Sequence, residues 1–130
     1  MANILVIDDD ASFREYLTAL LGREGYEVRC LASGVAVGDV VRTGRFDAVV
    51  TDLYMPHVDG IETLLSVKQV APAMPVIGLS AGFWSPSDPC HRAMTLLGAE
   101  AVLSKPLDGA AFLAILRRAI ERVAPAGGSI

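Results

Sequence analysis

Cysteine, aromatic residues and charge are all scarce in this chain of 130 residues. Its two cysteines, Cys30 and Cys90, are far apart and lack the spacing of metal ligands, which excludes a disulfide scaffold and a cysteine-rich metal site. We therefore expect a reducing compartment. Only 20% of the residues are charged, and acidic residues outnumber basic ones by 15 to 11. Because proteins bind phosphate backbones through clustered Lys and Arg, we do not expect direct contact with nucleic acid.

Long hydrophobic runs are also lacking, although 52% of the residues are hydrophobic. Seven residues lead into three consecutive aspartates, so no segment there is long enough for a signal peptide or a membrane span. We expect a soluble cytoplasmic protein that does not contact a membrane. The length and the hydrophobic content match one domain in which helices cover both faces of a sheet.

Short apolar runs of strand length alternate with segments of helical periodicity. The runs lie near residues 3–7, 26–31, 48–51, 76–80 and 101–104. Strands that alternate with helices in this way predict an α/β fold, a parallel sheet built from five βα units. We assign this domain to residues 1–123 and interpret residues 124–130 as a flexible tail or the start of a linker.

The helical segments carry start and stop signals. Ser12 and Glu15 form a capping-box pattern at the start of the first helix, and this pattern predicts the helix start there. The apolar stripe of that helix includes Phe13, and Gly22 or Gly25 should end it. The remaining helices are predicted at about 35–42 and 61–70, and from about Pro89 and Asp108 onward.

Polar residues follow four of the five apolar runs. They are the pair Asp8 and Asp9, then Asp52, Ser80 and Lys105. The carboxyl ends of parallel strands line one crevice, so these side chains should converge although they span most of the chain. Carboxylates, a hydroxyl and an ammonium group in one crevice suggest phosphate chemistry.

The acidic members of this set predict a metal site. Three crowded carboxylates repel one another, so Asp8, Asp9 and Asp52 should recruit a cation or raise the pKa of one of them. These three residues supply only oxygen ligands, and such ligands favour Mg²⁺ or Mn²⁺ over zinc. The alternative is an acidic loop that is merely solvated. Asp52 is the candidate nucleophile toward an activated phosphoryl group, and Lys105 and Ser80 would contact two of its oxygens.

Four segments together resemble the receiver domains of response regulators. The resemblance covers roughly residues 3–123, and each segment taken alone would be weak. In order along the chain and at this spacing they are highly specific. The segments are residues 6–10 (VIDDD), 52–60 (DLYMPHVDG), 79–81 (LSA) and 104–106 (SKP).

This resemblance implies a flavodoxin-like, doubly wound sheet of strand order 2-1-3-4-5. It implies that a histidine-kinase phosphohistidine phosphorylates Asp52. Asp9, Asp52 and the backbone carbonyl of Tyr54 would ligate the metal directly, and Asp8 would act largely through water. It also implies a cis peptide bond between Lys105 and Pro106, a geometry open to X-Pro bonds because their trans preference is small.

The chain departs from the family pattern at several positions. Val102 stands where the family usually has Tyr or Phe, which predicts a weaker or altered coupling from Ser80 to the helix surface that carries the output. Tyr54, two residues after Asp52, indicates slow hydrolysis of the acyl phosphate. Asp59 and Gly60 resemble the family's loop that leads into the third helix, where glycine can supply a backbone conformation closed to other residues. An ordinary turn is the alternative.

The segment between Ser80 and the fourth helix is longer than is common in the family. Phe83 and Trp84 within it form a lid or a docking site for a partner in one interpretation, and pack on the fourth helix in the other. The expected partners are a histidine kinase or phosphotransfer protein and a downstream effector protein or domain. A homodimer is a further candidate.

Two other functions use similar residues. An aspartyl-nucleophile phosphohydrolase also combines Asp, Lys, Ser and Mg²⁺, but it needs a second acid where this chain has Tyr54. A flavodoxin-like cofactor-binding module shares the topology, yet the aspartate cluster would repel a flavin phosphate. We therefore expect a signalling switch that catalyses its own phosphotransfer and slow dephosphorylation and is not a turnover enzyme.

Overall fold

Apolar strands that are buried on both faces form the centre of the molecule. The computed structural model describes residues 2–55, 58–81 and 89–123. Five strands alternate with five helices along these residues. Their bounds are β1 Asn3–Ile7, α1 Ala11–Arg23, β2 Glu27–Leu31, α2 Val37–Thr43, β3 Ala48–Asp52, α3 Gly60–Val70, β4 Val76–Ser80, α4 Pro89–Leu96, β5 Ala101–Ser104 and α5 Gly109–Val123.

The strands form one parallel sheet of order β2-β1-β3-β4-β5. This confirms the predicted α/β fold and strand order. The register aligns Ile7 with Thr51, Asp52 with Leu79 and Ser80 with Ser104. The carboxyl ends of the strands therefore lie along one edge of the sheet.

Each face of the sheet has its own hydrophobic core. Along β1, Leu5 and Ile7 belong to the cluster that includes residues of α2, α3 and α4, whereas Ile4 and Val6 belong to the cluster of α1 and α5. This alternation follows from the two-residue period of a strand. Helices thus cover both faces, as the doubly wound architecture requires.

The helix boundaries lie within one residue of the prediction except at the starts of α1 and α2. The prediction that the capping box at Ser12 starts α1 is wrong, because Asp10 is the N-cap and its Oδ1 accepts hydrogen bonds from the backbone N–H groups of Ser12 and Phe13. Gly22 lies inside α1, and Gly25, with a φ of 87°, follows its end. A positive φ suits glycine at this position because glycine has no Cβ.

The other difference lies at α2. Helix α2 begins two residues later than predicted and extends to Thr43.

None of the helices in the described residues is both long and apolar enough to span a membrane. The interpretation of residues 124–130 as a tail or linker falls outside the described residues.

Candidate functional site

The carboxyl edge of the sheet brings the predicted site residues into one region. Asp8 follows β1, Asp52 ends β3, Ser80 ends β4 and Lys105 follows β5. Backbone hydrogen bonds continue past the strands at two of these points, from Asp8 N to Leu31 O at 3.1 Å and from Lys105 N to Ser80 O at 2.8 Å. The sheet ladder itself therefore sets the spacing between these side chains.

Three carboxylates form a cluster at this edge. One oxygen from each of Asp8, Asp9 and Asp52 can be chosen so that all three lie within 4.8 Å of one another. Asp8 and Asp52 are buried, whereas Asp9 is exposed. Hard oxygen donors at this separation suit a divalent cation such as Mg²⁺. The cluster is therefore a candidate metal site that is open to solvent on the side of Asp9.

Two buried oxygens at this edge of the sheet lack a hydrogen-bond partner. Within the described part of the chain, Asp52 Oδ1 and Ser80 Oγ have no hydrogen-bond partner. Buried polar atoms normally have a partner, since leaving one unpaired costs about 1–3 kcal/mol. A ligand that binds between β3 and β4 would satisfy both atoms, so the site fits a metal ion together with an oxyanion.

Burial also alters the acidity of Asp52. Desolvation raises the pKa of this carboxyl from 3.8 to about 6, and Lys105 opposes the rise while Asp8 and Asp9 reinforce it. The carboxylate form is thus disfavoured inside the pocket until a positive charge compensates it. A nearby divalent cation would supply that charge and keep Asp52 ionised.

Lys105 supplies the positive charge that the pocket already holds. Its Nζ donates a hydrogen bond to Asp8 Oδ2 at 2.8 Å and lies 3.9 Å from Asp52 Oδ1. The Lys105–Pro106 peptide bond is cis, as the resemblance implied. The ammonium therefore bridges two of the three acidic residues, and its hydrogen bond goes to Asp8.

Two residues outside the predicted site, Phe13 and Arg14, also contact Lys105 and Asp8. Lys105 Nζ lies over the ring of Phe13, 3.9 Å from its centroid. Arg14 Nη1 donates a hydrogen bond to the backbone oxygen of Asp8 at 2.7 Å. Both residues lie in the first turn of α1, and their proximity to the acidic residues along the chain was the signal that could have identified them.

The start of α3 lies against the end of β3, and Gly60 makes this approach feasible. A Cβ at Gly60 would lie 2.7 Å from the backbone oxygen of Asp52 and 2.7 Å from Leu53 Cα. Of the two alternatives for Gly60, the conformation closed to other residues does not occur, because its φ lies outside the left-handed region. Glycine is required there by space.

Val102, at the position where the family usually has Tyr or Phe, belongs to the same buried cluster as Met94 of α4. Val102 and Met94 are buried, and a Cβ at Gly78 would lie 2.8 Å from Met94 Cε and 3.6 Å from Val102 Cγ2. The absence of a side chain at Gly78 therefore leaves room for Met94 between α4 and the sheet. The altered coupling expected from Val102 stays a prediction.

The structure does not test the roles predicted for Tyr54, Phe83 and Trp84. The side chain of Tyr54 is half exposed, and the metal-ligating role of its carbonyl stays a prediction. The proposals for Phe83 and Trp84 concern residues outside the described ranges.

Comparisons with known proteins agree with this geometry. The family model of the response regulator receiver domain matches residues 4–117. A crystal structure of a response regulator receiver domain protein from Clostridium thermocellum has a TM-score of 0.84 and 29% identity, covering 94% of this chain and 96% of that chain.

Curated relatives are longer than this chain. Transcriptional regulatory protein GlrR of Escherichia coli (strain K12) is 35% identical over 125 residues, which cover 96% of this chain and 28% of GlrR. Response regulator MprA of Mycobacterium sp. (strain KMS) is 34% identical over 127 residues, which cover 96% of this chain and 53% of MprA. The chain thus spans between 28% and 53% of the length of these two relatives.

Proposed function

Because this chain belongs to the response regulator receiver domain family, we propose that it is a phosphorylation-controlled switch in which Asp52 accepts the phosphoryl group. The observation that carries the proposal is the position of Asp52, which is buried, has an unpaired oxygen and lies beside both the acidic cluster and Lys105. The donor is the phosphohistidine of a histidine kinase or of a phosphotransfer protein.

The same proposal assigns a metal site. Asp9, Asp52 and the backbone carbonyl of Tyr54 bind Mg²⁺, with Mn²⁺ as the alternative, and Asp8 acts largely through water. Bound metal would neutralise negative charge on the transferring phosphoryl oxygens. The close approach of the three carboxylates supports this assignment.

Transfer proceeds by displacement at phosphorus. A carboxylate oxygen of Asp52 forms a bond to phosphorus while the bond from phosphorus to the donor's imidazole nitrogen breaks, and that nitrogen keeps the electron pair. Lys105 contributes a positive charge to one phosphoryl oxygen, and the hydroxyl of Ser80 donates a hydrogen bond to another. The unpaired Ser80 Oγ at the end of β4 supports the second role.

The consequence of phosphorylation is a change in partner affinity. The domain catalyses its own phosphotransfer and slow dephosphorylation, and it is not a turnover enzyme. A downstream effector protein or domain reads the altered surface. The net charge of −4 supports an output through protein contact in preference to direct nucleic acid binding by this domain. A cytoplasmic location is part of the proposal.

Intact mass spectrometry tests the phosphorylation step. The protein is incubated with a small acyl phosphate donor in Mg²⁺ or in chelator, beside the variants Asp52→Asn and Asp10→Asn. In Mg²⁺ we expect one phosphoryl adduct on the wild type and on Asp10→Asn, and none on Asp52→Asn. In chelator we expect no adduct on any of the three proteins. Asp10 is a matched control because it is an acidic neighbour outside the cluster of Asp8, Asp9 and Asp52.

Two results would contradict the proposal. An adduct on Asp52→Asn would place the acceptor elsewhere. A wild type that takes no adduct and does not bind a beryllium fluoride mimic would identify a binding module that works without phosphorylation.

A further inference from the structure

We propose that Phe13 is a positioning residue that holds the Lys105 ammonium in place for phosphoryl transfer to Asp52. This inference rests on the proposed function, and it adds a residue from α1 to the site. The observation that carries it is the placement of Lys105 Nζ over the Phe13 ring, 3.9 Å from the centroid.

The contacts of Lys105 explain why a second restraint matters. An ammonium has three N–H donors, and one of them is used by Asp8 Oδ2 at 2.8 Å. Asp52 Oδ1, at 3.9 Å, is beyond hydrogen-bond distance. A lysine side chain is long and flexible, so one hydrogen bond alone would leave several rotamers open. The electron-rich face of Phe13 attracts the ammonium and blocks one side of it.

The ring of Phe13 is itself fixed by its surroundings. Its backbone N–H donates to Asp10 Oδ1, and its side chain packs on the core cluster between the sheet and helices α1 and α5. Tyr16 contacts the ring with centroids 5.7 Å apart and an interplanar angle of 42°. The start of α1, the acidic loop and Lys105 are therefore connected through one half-buried ring.

A substitution by leucine separates the electrostatic contact from packing. Leucine occupies a similar space but lacks the negative ring face that attracts a cation. The ring of Phe13 contacts the ammonium of Lys105, which acts on the transferring group, whereas the proposed metal ligands are two carboxylates and the backbone carbonyl of Tyr54. Phe13→Leu should therefore slow transfer and leave Mg²⁺ affinity nearly unchanged.

The kinetic experiment compares three variants with the wild type. Phe13→Leu removes the ring, Phe13→Tyr keeps it, and Phe46→Leu makes the same substitution at another half-buried position, just before β3. Phosphorylation by a small acyl phosphate donor is followed at saturating Mg²⁺. We expect the rate constant to fall about three- to ten-fold in Phe13→Leu and to stay within about two-fold of wild type in the other two variants. Calorimetry should give similar Mg²⁺ affinities for all four proteins.

A spectroscopic measurement tests the contact without phosphorylation. Protons on the Lys105 Cε should show an upfield ring-current shift in carbon-proton NMR spectra of the wild type. The shift should remain in Phe13→Tyr and vanish in Phe13→Leu. Its absence from the wild type would overturn the inference whatever the kinetics show.

The two measurements also separate this inference from the proposed function. If the wild type is phosphorylated and Phe13→Leu reacts at the same rate, the positioning role is wrong and the switch function stands. An equal loss of rate in Phe46→Leu would likewise overturn it, because general loosening would then explain both variants. If the wild type itself takes no phosphoryl group, the proposed function fails and the positioning role fails with it.

Discussion

At the scale of single residues, Asp52 stands out because its burial conflicts with its charge. The carboxyl lies at the end of a strand whose five residues are all buried, and two further carboxylates lie beside it. Lys105 compensates part of this charge, but its hydrogen bond goes to Asp8. Without a bound cation, the pocket would hold the Asp52 carboxylate at a cost to folding, a common feature of sites that bind a charged ligand.

The raised pKa of Asp52 predicts a pH-dependent stability. Because the folded-state pKa is about 6 and the ordinary value is 3.8, folding takes up a proton between these pH values, and the free energy of unfolding falls as pH rises through that window. Asn cannot titrate. In chelator, we expect Asp52→Asn to be more stable than wild type by about 3 kcal/mol at pH 7.5, and by less than about 1 kcal/mol at pH 4.

Urea unfolding of both proteins at the two pH values measures this difference. A wild type as stable as Asp52→Asn at pH 7.5 would mean that burial does not penalise the Asp52 carboxylate.

At the scale of elements, α1 does more than cover one face of the sheet. Its first turn contributes Phe13 and Arg14 to the surroundings of Asp8 and Lys105. The Asp10 backbone N–H donates to Asp8 Oδ1 at 2.9 Å, while the Asp10 side chain caps the helix. The start of α1 is therefore coupled to the acidic loop. The capping box at Ser12 failed as a predictor because the Asp10 side chain caps the helix two residues earlier.

The capping role of Asp10 can be tested against that of Ser12. Asp10→Ala removes the oxygen that accepts from the N–H groups of Ser12 and Phe13, so it should lower the free energy of unfolding by about 1 kcal/mol. Asp10→Asn should preserve most of the stability, since Asn is also a good N-cap. Ser12→Ala should change little. Urea unfolding at pH 7.5 checks all three, and a larger loss in Ser12→Ala than in Asp10→Ala would refute the assignment.

At the scale of the whole molecule, the candidate metal site joins segments that are far apart in sequence. The cluster combines the residues after β1 with the end of β3, and Lys105 reaches it from the end of β5, 97 residues from Asp8. A ligand that binds there binds the folded state alone, because the unfolded chain does not hold these groups together. Binding should therefore stabilise the whole domain.

Mg²⁺ is expected to raise the free energy of unfolding in proportion to the logarithm of its concentration. At 100 times its Kd the gain should be about 2.7 kcal/mol for the wild type. Asp9→Asn should lose most of this gain, because Asp9 is a proposed ligand, and Asp10→Asn should retain it. Urea unfolding with and without Mg²⁺ gives the values. Equal stabilisation of Asp9→Asn would exclude Asp9 as a ligand.

The sequence by itself determined the elements of the fold and the residue types at its functional edge. Apolar runs bounded by polar residues predicted five strands, and the structure confirms them. The three inner strands β1, β3 and β4 are almost entirely buried, whereas the edge strands β2 and β5 are partly exposed. Because parallel strands end at one edge, the order of Asp8, Asp52 and Lys105 along the chain was enough to predict their convergence. These features depend on local patterns that the chain carries in any state.

Only the tertiary structure decided how those groups meet. It determined that the hydrogen bond of Lys105 goes to Asp8, that burial raises the pKa of Asp52, and that Phe13 lies beneath the ammonium. It also determined that Gly60 is required by the space next to Asp52. Each of these depends on distances between segments that are brought together by packing, and a periodic sequence pattern carries no information about such distances.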